Sequence, residues 1–197
     1  MEKLTIRQGK TFSKALRWGA SPLIYRPITG IATTAPVRIT ATAHGLPPKW
    51  PVAVMGAAGL PNLNAQNNPP KPADFYHAAV VDADHIEINT VNAERFRPYT
   101  GGGQLVFYTP TPLDGYTARF VVRDKVGGAV LFSGTSVDGT VVIDAVNFTI
   151  TIALTAVATA AMTWKKGVYE LELTAPSGFV PSAFPIGDIE VVREVAA

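Results

Sequence analysis

Three stretches of this chain alternate apolar and polar residues with the period of a β-strand rather than a helix. In Phe148–Leu154, the residues Phe148, Ile150, Ile152 and Leu154 share one face, while Thr149, Thr151 and Ala153 share the other. Tyr116–Arg123 sets Tyr116, Ala118, Phe120 and Val122 against Thr117, Arg119 and Arg123. Val168–Thr174 sets Tyr169, Leu171 and Leu173 against Glu170 and Glu172. A strand of this kind has one face to bury, so it needs a second layer to bury it against. A last run, Asp188 to Val195, alternates until Val192 interrupts it. Asp124–Gly128, Ser136–Gly139 and Ala175–Gly178 separate the runs with turn residues. Short strands at this spacing predict a sandwich or barrel. Only Ala153–Trp164, rich in Ala and Thr, predicts a helix, and a short one.

Residues 31–108 have a different texture. Strand-like pieces at Val37–Ala41, Trp50–Met55, Phe75–Val81, His85–Ile88 and Gln104–Tyr108 are split by Leu60–Pro72, whose Asn and Pro content sustains neither ladder nor helix. That stretch predicts a long exposed loop. A second loop, Asn92–Gly103, ends in three glycines and is expected to be flexible there. The architecture expected is all-β, with residues 31–108 as a small β-barrel or β-sheet module bounded by loops.

Composition narrows the functional classes. With 197 residues, 47% hydrophobic and 16% charged, the chain is long and apolar enough to bury a core. There is no cysteine, so disulfides and thiolate metal sites are excluded. No apolar run approaches the ~20 residues that span a bilayer, and the N-terminus lacks a signal-peptide core. No membrane insertion and no secretion are therefore expected. The net charge of +2 is unevenly spread: Lys3, Arg7, Lys10, Lys14, Arg17 and Arg26 stand near the start, and Glu170, Glu172, Asp188, Glu190 and Glu194 near the end. The basic residues sit at strand spacing without an aromatic platform, which argues against nucleic acid. Two readings of the asymmetry remain open, complementary charge between neighbouring subunits and charge pairing within one subunit.

Side chains with chemical potential do not assemble into a recognisable cluster. Asp82, Asp84 and His85 have the residue types of a cation loop, but Asp-Ala-Asp between apolar runs is also what a tight hairpin uses. His44 and His77 have no partner at ligand spacing. Ser133–Ser136 with Asp138 lacks a nearby histidine, and Gly101–Gly103 is followed by neither a helix nor a Lys-Ser/Thr pair. Among Asp74, Asp82, Asp84, Glu87 and Glu94, no spacing selects a glycosidase-like pair. The chain is read as a non-enzyme, with no catalytic residues, no cofactor and no metal. Trp18, Trp50, Trp164, Tyr25, Phe75 and Tyr76 are candidate anchors if exposed. Trp50, between Pro47, Pro48 and Pro51, is the one expected at the surface. The predicted partner-binding set is Trp50, Asn64, Asn67, Asn68, Arg95, Arg97 and Tyr99.

Leu4–Phe12 with its Gln8-Gly9, Leu113–Arg119, Gly167–Leu173 and Gly187–Val195 resemble a β-sandwich family of tailed-bacteriophage structural proteins. In that family a strand ending in QG leads directly to a dLTGYTAR strand and later to a YDLEL strand; here a long insertion intervenes before Leu113. The resemblance therefore implies a discontinuous fold, an Ig-like β-sandwich built from residues 1–30 and 109–197 with the 31–108 module inserted into it. A module so inserted is held by two connections and cannot swing as a singly linked domain does. The insertion is itself similar to a recurrent phage-particle module of the form ITATAHGL, strand, LNG, hairpin, matched at Ile39–Leu46, Val52–Met55, Leu63-Asn64 and Val80–Ile88. It departs at Ala65, where the module has Gly, and at Lys49-Trp50, where it has Gly-Asp. The resemblance implies a virion protein, assembled in the host cytoplasm and carrying no catalytic residues. It would be an oligomeric adaptor, decoration or attachment component of tail, neck or head surface. Its expected partners are other virion proteins and copies of itself, as a trimer or higher ring. A host surface glycan, bound through the 60–72 and 92–103 loops, is the alternative.

Overall fold

The computed structural model describes residues 3–193. Their strands are, in chain order, β1 (Leu4–Arg7), β2 (Phe12–Leu16), β3 (Gly19–Pro27), β4 (Gly30–Ala32), β5 (Val37–Thr40), β6 (Pro51–Met55), β7 (Tyr76–His77) and β8 (Ala79–Val80). There follow β9 (His85–Ile88), β10 (Gln104–Pro110), β11 (Thr117–Arg123), β12 (Val130–Thr135), β13 (Val141–Asp144), β14 (Thr149–Leu154), β15 (Lys166–Thr174) and β16 (Gly187–Val192). A 3-10 turn at Pro72–Asp74 and one short helix, α1 (Ala156–Ala160), complete the described elements. The fold is all-β, as the alternation requires. The expected extension of β16 to Val195 falls partly outside the described residues.

The chain divides into two compact units: an outer one of residues 1–18 with 112–197, and an inner one of residues 19–111. The seam thus lies at Trp18/Gly19 and Thr111/Pro112, whereas texture alone put it at 30/31 and 108/109. The reason is pairing. β3 runs antiparallel to β10 from Gln104↔Pro27 to Pro110↔Gly19, so the first and last strands of the inner unit are neighbours.

In the outer unit, a five-stranded sheet of order β1-β16-β15-β11-β12 accompanies a three-stranded sheet β13-β14-β2. One core joins them: Leu4, Ile6, Ala118, Phe120, Val122, Leu171, Leu173 and Ile189 from the first, and Val141, Ile150, Ile152 and Leu154 from the second. Burying a side chain of this size contributes about 1.5–3 kcal/mol. Phe120 packs at tilted angles on Phe132 and Tyr169, with ring centroids 6.2 and 5.8 Å away. The polar positions face out. Arg119 stands opposite Glu172 across β11 and β15, and Lys3 Nζ lies 2.6 Å from Glu190 Oε2, one strand over from β1. Part of the charge asymmetry therefore meets within the subunit. The Gln8-Gly9 corner docks α1: Gln8 Nε2 donates to the carbonyls of Ala160 and Met162, and Thr159 Oγ1 donates to that of Lys10. Thr155 caps the helix by accepting from Ala158 N–H at 3.1 Å, which fixes where the Ala/Thr run between two strands begins its helical turn.

The inner unit has two four-stranded sheets, β3-β10-β6-β7 and β4-β5-β9-β8. Val52, Val54, Leu105 and Phe107 of the first and Val37, Ile39, Ile86 and Ile88 of the second are all buried. Leu60 and Leu63, from the stretch expected to be an exposed loop, are buried as well. The stretch is a loop, but a folded one.

Candidate ligand-binding cleft

The residues that looked most like chemistry are tied up in turns. His44 is buried; its Nδ1 accepts from Leu46 N–H at 3.0 Å, which leaves Nε2–H to donate to the Asp82 carbonyl at 3.0 Å. Asp84 Oδ1 accepts from Ala43 N–H, and the Ala41 and His44 N–H groups donate to the Asp84 and Ala83 carbonyls. Asp82 Oδ1 accepts from the N–H groups of Asp84 and His85 and from His85 Nδ1 at 2.8 Å. The Asp84 N–H above all, then the His85 side chain, holds the Asp82 carboxyl below its usual range. The Ile39–Leu46 and Val80–Ile88 motifs are thus two turns clasped to each other. Among the described residues, no group of three or more His, Cys, Asp or Glu is arranged to hold a metal ion.

The expected binding residues divide sharply. Trp50, expected at the surface, is 1% exposed, and its Nε1–H donates to the Tyr108 carbonyl at 2.9 Å. Its flanking prolines do not expose it, because the ring lies beside Gly19 of β3 and is bonded to β10. Asn64 turns inward: Oδ1 accepts from Ala57 N–H and Nδ2 donates to the Ala57 carbonyl, both at 2.9 Å. Asn67 Nδ2 donates to Asp74 Oδ2, and the same carboxylate accepts from Gln66 and Lys71 N–H, Lys71 doing most to lower its pKa. The Tyr99 hydroxyl is likewise engaged, at 3.0 and 2.7 Å from the Ile28 and Gly102 carbonyls. Asn68 is exposed beside a cis bond to Pro69. Arg95 and Arg97, in contrast, line a cleft.

That cleft forms where the two polar loops meet. Leu60, Pro61 and Asn62 make one wall and Arg95, Phe96 and Arg97 the other, around a volume of about 340 Å³. The loops are stitched by backbone pairing: Ala58 N–H donates to the Gly101 carbonyl and Thr100 N–H to the Ala58 carbonyl, both at 3.0 Å. Gly59, at φ +90°, backs so closely onto Pro98 that a Cβ would overlap its carbonyl. Gly103 lies against Ala57, so the triple glycine expected to flex is pinned at both ends. The 92–97 turn is fixed in turn by Glu94 N–H on Asn92 Oδ1 and by Phe96 N–H on the Ala93 carbonyl, with Ala93 buried. Both arginines are exposed, and no described carboxylate lies within ion-pair distance of either.

A second hollow, about 320 Å³, is lined by Pro51, Pro72, Phe75, His77 and Tyr108. Phe75 and Tyr108 stack with centroids 5.8 Å apart and planes 22° from parallel, and His77 Nδ1–H donates to the Lys49 carbonyl at 3.1 Å. Phe75 was among the candidate anchors; Tyr108 and His77 were not seen as part of a site, since residues distant in the chain assemble it. No protein-family model matches the chain, and no curated protein matches it either. Among the described residues, no helix is long and apolar enough to cross a membrane.

Proposed function

We propose that this chain is a non-enzymatic structural protein of a tailed-bacteriophage particle. In this reading it acts as an oligomeric adaptor, decoration or attachment component of the tail, neck or head surface, assembled in the host cytoplasm. The observation that carries the oligomeric part is a hollow on the outer unit where exposed apolar and charged side chains mix. Val126 and Ile186, 69% and 46% exposed, line it together with Val121, Val168, Arg123 and Glu170. Exposed apolar side chains set among charged ones suit protein–protein contact. The motif residues add support, because Gln8, His44, Asp82 and Asp84 serve the fold itself, as residues of a structural module do. Light scattering of the purified protein and its co-sedimentation with particles test the reading. A closed oligomer that Val126→Asp and Ile186→Asp dissociate is expected; a monomer at every concentration that never sediments with particles overturns it.

A second reading, a host-glycan-binding module, is favoured by the inner unit's stacked Phe75–Tyr108 hollow and by the cleft between its loops. Stacked aromatic and apolar walls suit sugar rings.

A further inference from the structure

We propose that the cleft between the 60–62 and 95–97 loops binds an acidic saccharide, a pyranose unit carrying a carboxylate. This rests on the glycan-binding reading and specifies its ligand class. The walls differ in chemistry in the way such a ligand requires. Pro61 and Phe96 supply apolar surface against which a ring's C–H face packs, with buried Leu60 beneath them, Asn62 supplies an amide for a hydroxyl, and Arg95 and Arg97 supply two guanidinium groups. A planar guanidinium meets a carboxylate through two parallel N–H···O bonds, a geometry that a lysine does not reproduce.

Placement strengthens the assignment. Arg95 and Arg97 stand two residues apart in one loop, and both line the same cavity. Two like charges held on one short turn repel, and within the described chain nothing neutralises them; an anion entering the cleft does. The framework is already set. The Ala58–Gly101 bridge, the Gly59–Pro98 approach and the Asn64 clamp on Ala57 and Leu60 fix both walls before a ligand arrives, so little ordering opposes binding. The volume of about 340 Å³ suits one or two sugar units rather than a folded partner. The aromatic hollow has no arginine in its lining, so it does not share this selectivity.

Calorimetric titration of the full-length protein tests the proposal with four kinds of probe: trigalacturonate, a hyaluronan tetrasaccharide and a sialic-acid trimer as acidic saccharides; the methyl ester of trigalacturonate; a neutral galactan oligosaccharide; and inorganic sulfate. At least one acidic saccharide is expected to bind saturably. Arg95→Gln with Arg97→Gln should weaken it about tenfold or more, the scale of losing charge-assisted hydrogen bonds. Arg95→Lys with Arg97→Lys should recover only part of that loss, and sulfate should compete weakly. Both positions are exposed, so an unchanged melting temperature verifies that the variants fold. Binding of the neutral oligosaccharide or the ester as tight as that of the acids overturns the acidic-ligand proposal and leaves the glycan reading standing. So does acid binding indifferent to the arginine pairs. Sulfate binding as tightly as the saccharides reduces the cleft to a plain anion site and overturns the proposal. Silence of every saccharide overturns both.

Discussion

The outer and inner units are both built from sheets, but they are held in different ways. In the outer unit, alternation does nearly all the work: Phe120, Leu171, Ile152 and Ile6 go inward and charged residues go outward. In the inner unit, polar side chains hold the interior of the loops. His44, Asn64 and Asp74 satisfy backbone N–H groups that the turns would otherwise leave unpaired, and the Trp50 indole bonds a carbonyl of β10. The outer turn at 135–140 is held by Asp138 accepting from the N–H groups of Thr135 and Thr140, whereas the 41–46 and 82–85 turns of the inner unit are held by each other. A fold of the second kind carries preformed concave surfaces, because its loops are ordered well away from its strands.

Substitutions in the two units should expose this contrast. The largest effect is expected in the outer core, where Phe120→Ala removes a ring packed on Phe132 and Tyr169 and should cost about 3–5 kcal/mol in urea unfolding. Next comes the inner clasp. His44→Ala leaves the Leu46 N–H and the Asp82 carbonyl without their partner and should cost about 1–3 kcal/mol, with hydrogen exchange quickening at 41–46 and 82–85 rather than across the outer unit. Equal exchange in both units would break the contrast.

A smaller effect is expected at Asp138, in the outer turn between β12 and β13. Its carboxyl is lowered from 3.8 to about 2, by the hydroxyl and N–H of Thr140 first and by Thr135 after them. A carboxyl depressed in the folded state stabilises it above the ordinary carboxylate range and loses that contribution as pH falls through about 2. Melting followed from pH 5 down to ~2 should therefore show a shallower acid decline for Asp138→Asn than for the unsubstituted protein. The smallest effect belongs to the surface. Lys3→Ala breaks the 2.6 Å contact with Glu190 and should leave the melting temperature almost unchanged, since an exposed pair gains little over its solvated ions. A large loss there would show that charge, not alternation, holds the β1 edge.

These differences also explain what was legible in the sequence. The inward faces of β11, β14 and β15 followed from alternation, which is local. The seam did not, because β3 joins the inner unit only through pairing with β10, far along the chain. The burial of Trp50 is hidden for the same reason: three prolines are its sequence neighbours, while the β10 carbonyl of Tyr108 that holds its indole lies far along the chain. Asn64 and Asn67 looked like surface residues by type, yet buried turns need side-chain acceptors and donors, and these asparagines supply them. The two loops were visible as loops, and Arg95 and Arg97 as their exposed cations. That the loops join at Ala58 and Gly101 to make a cleft was not visible, since glycine-rich sequence reads as freedom and here makes close contact instead.

The pairing of Gly19 with Pro110 has a consequence for the gene. The inner unit begins and ends on adjacent strands, and in the outer unit the residues flanking the gap are brought together by the edge-to-face contact of Trp18 with Tyr116, 6.1 Å between centroids. The segment encoding residues 19–111 can thus be gained, lost or exchanged as a cassette without altering the order of a single strand in the outer unit. Recombination at the two seams, Trp18/Gly19 and Thr111/Pro112, would exchange the whole inner unit and leave the outer unit's sheets with every strand in place.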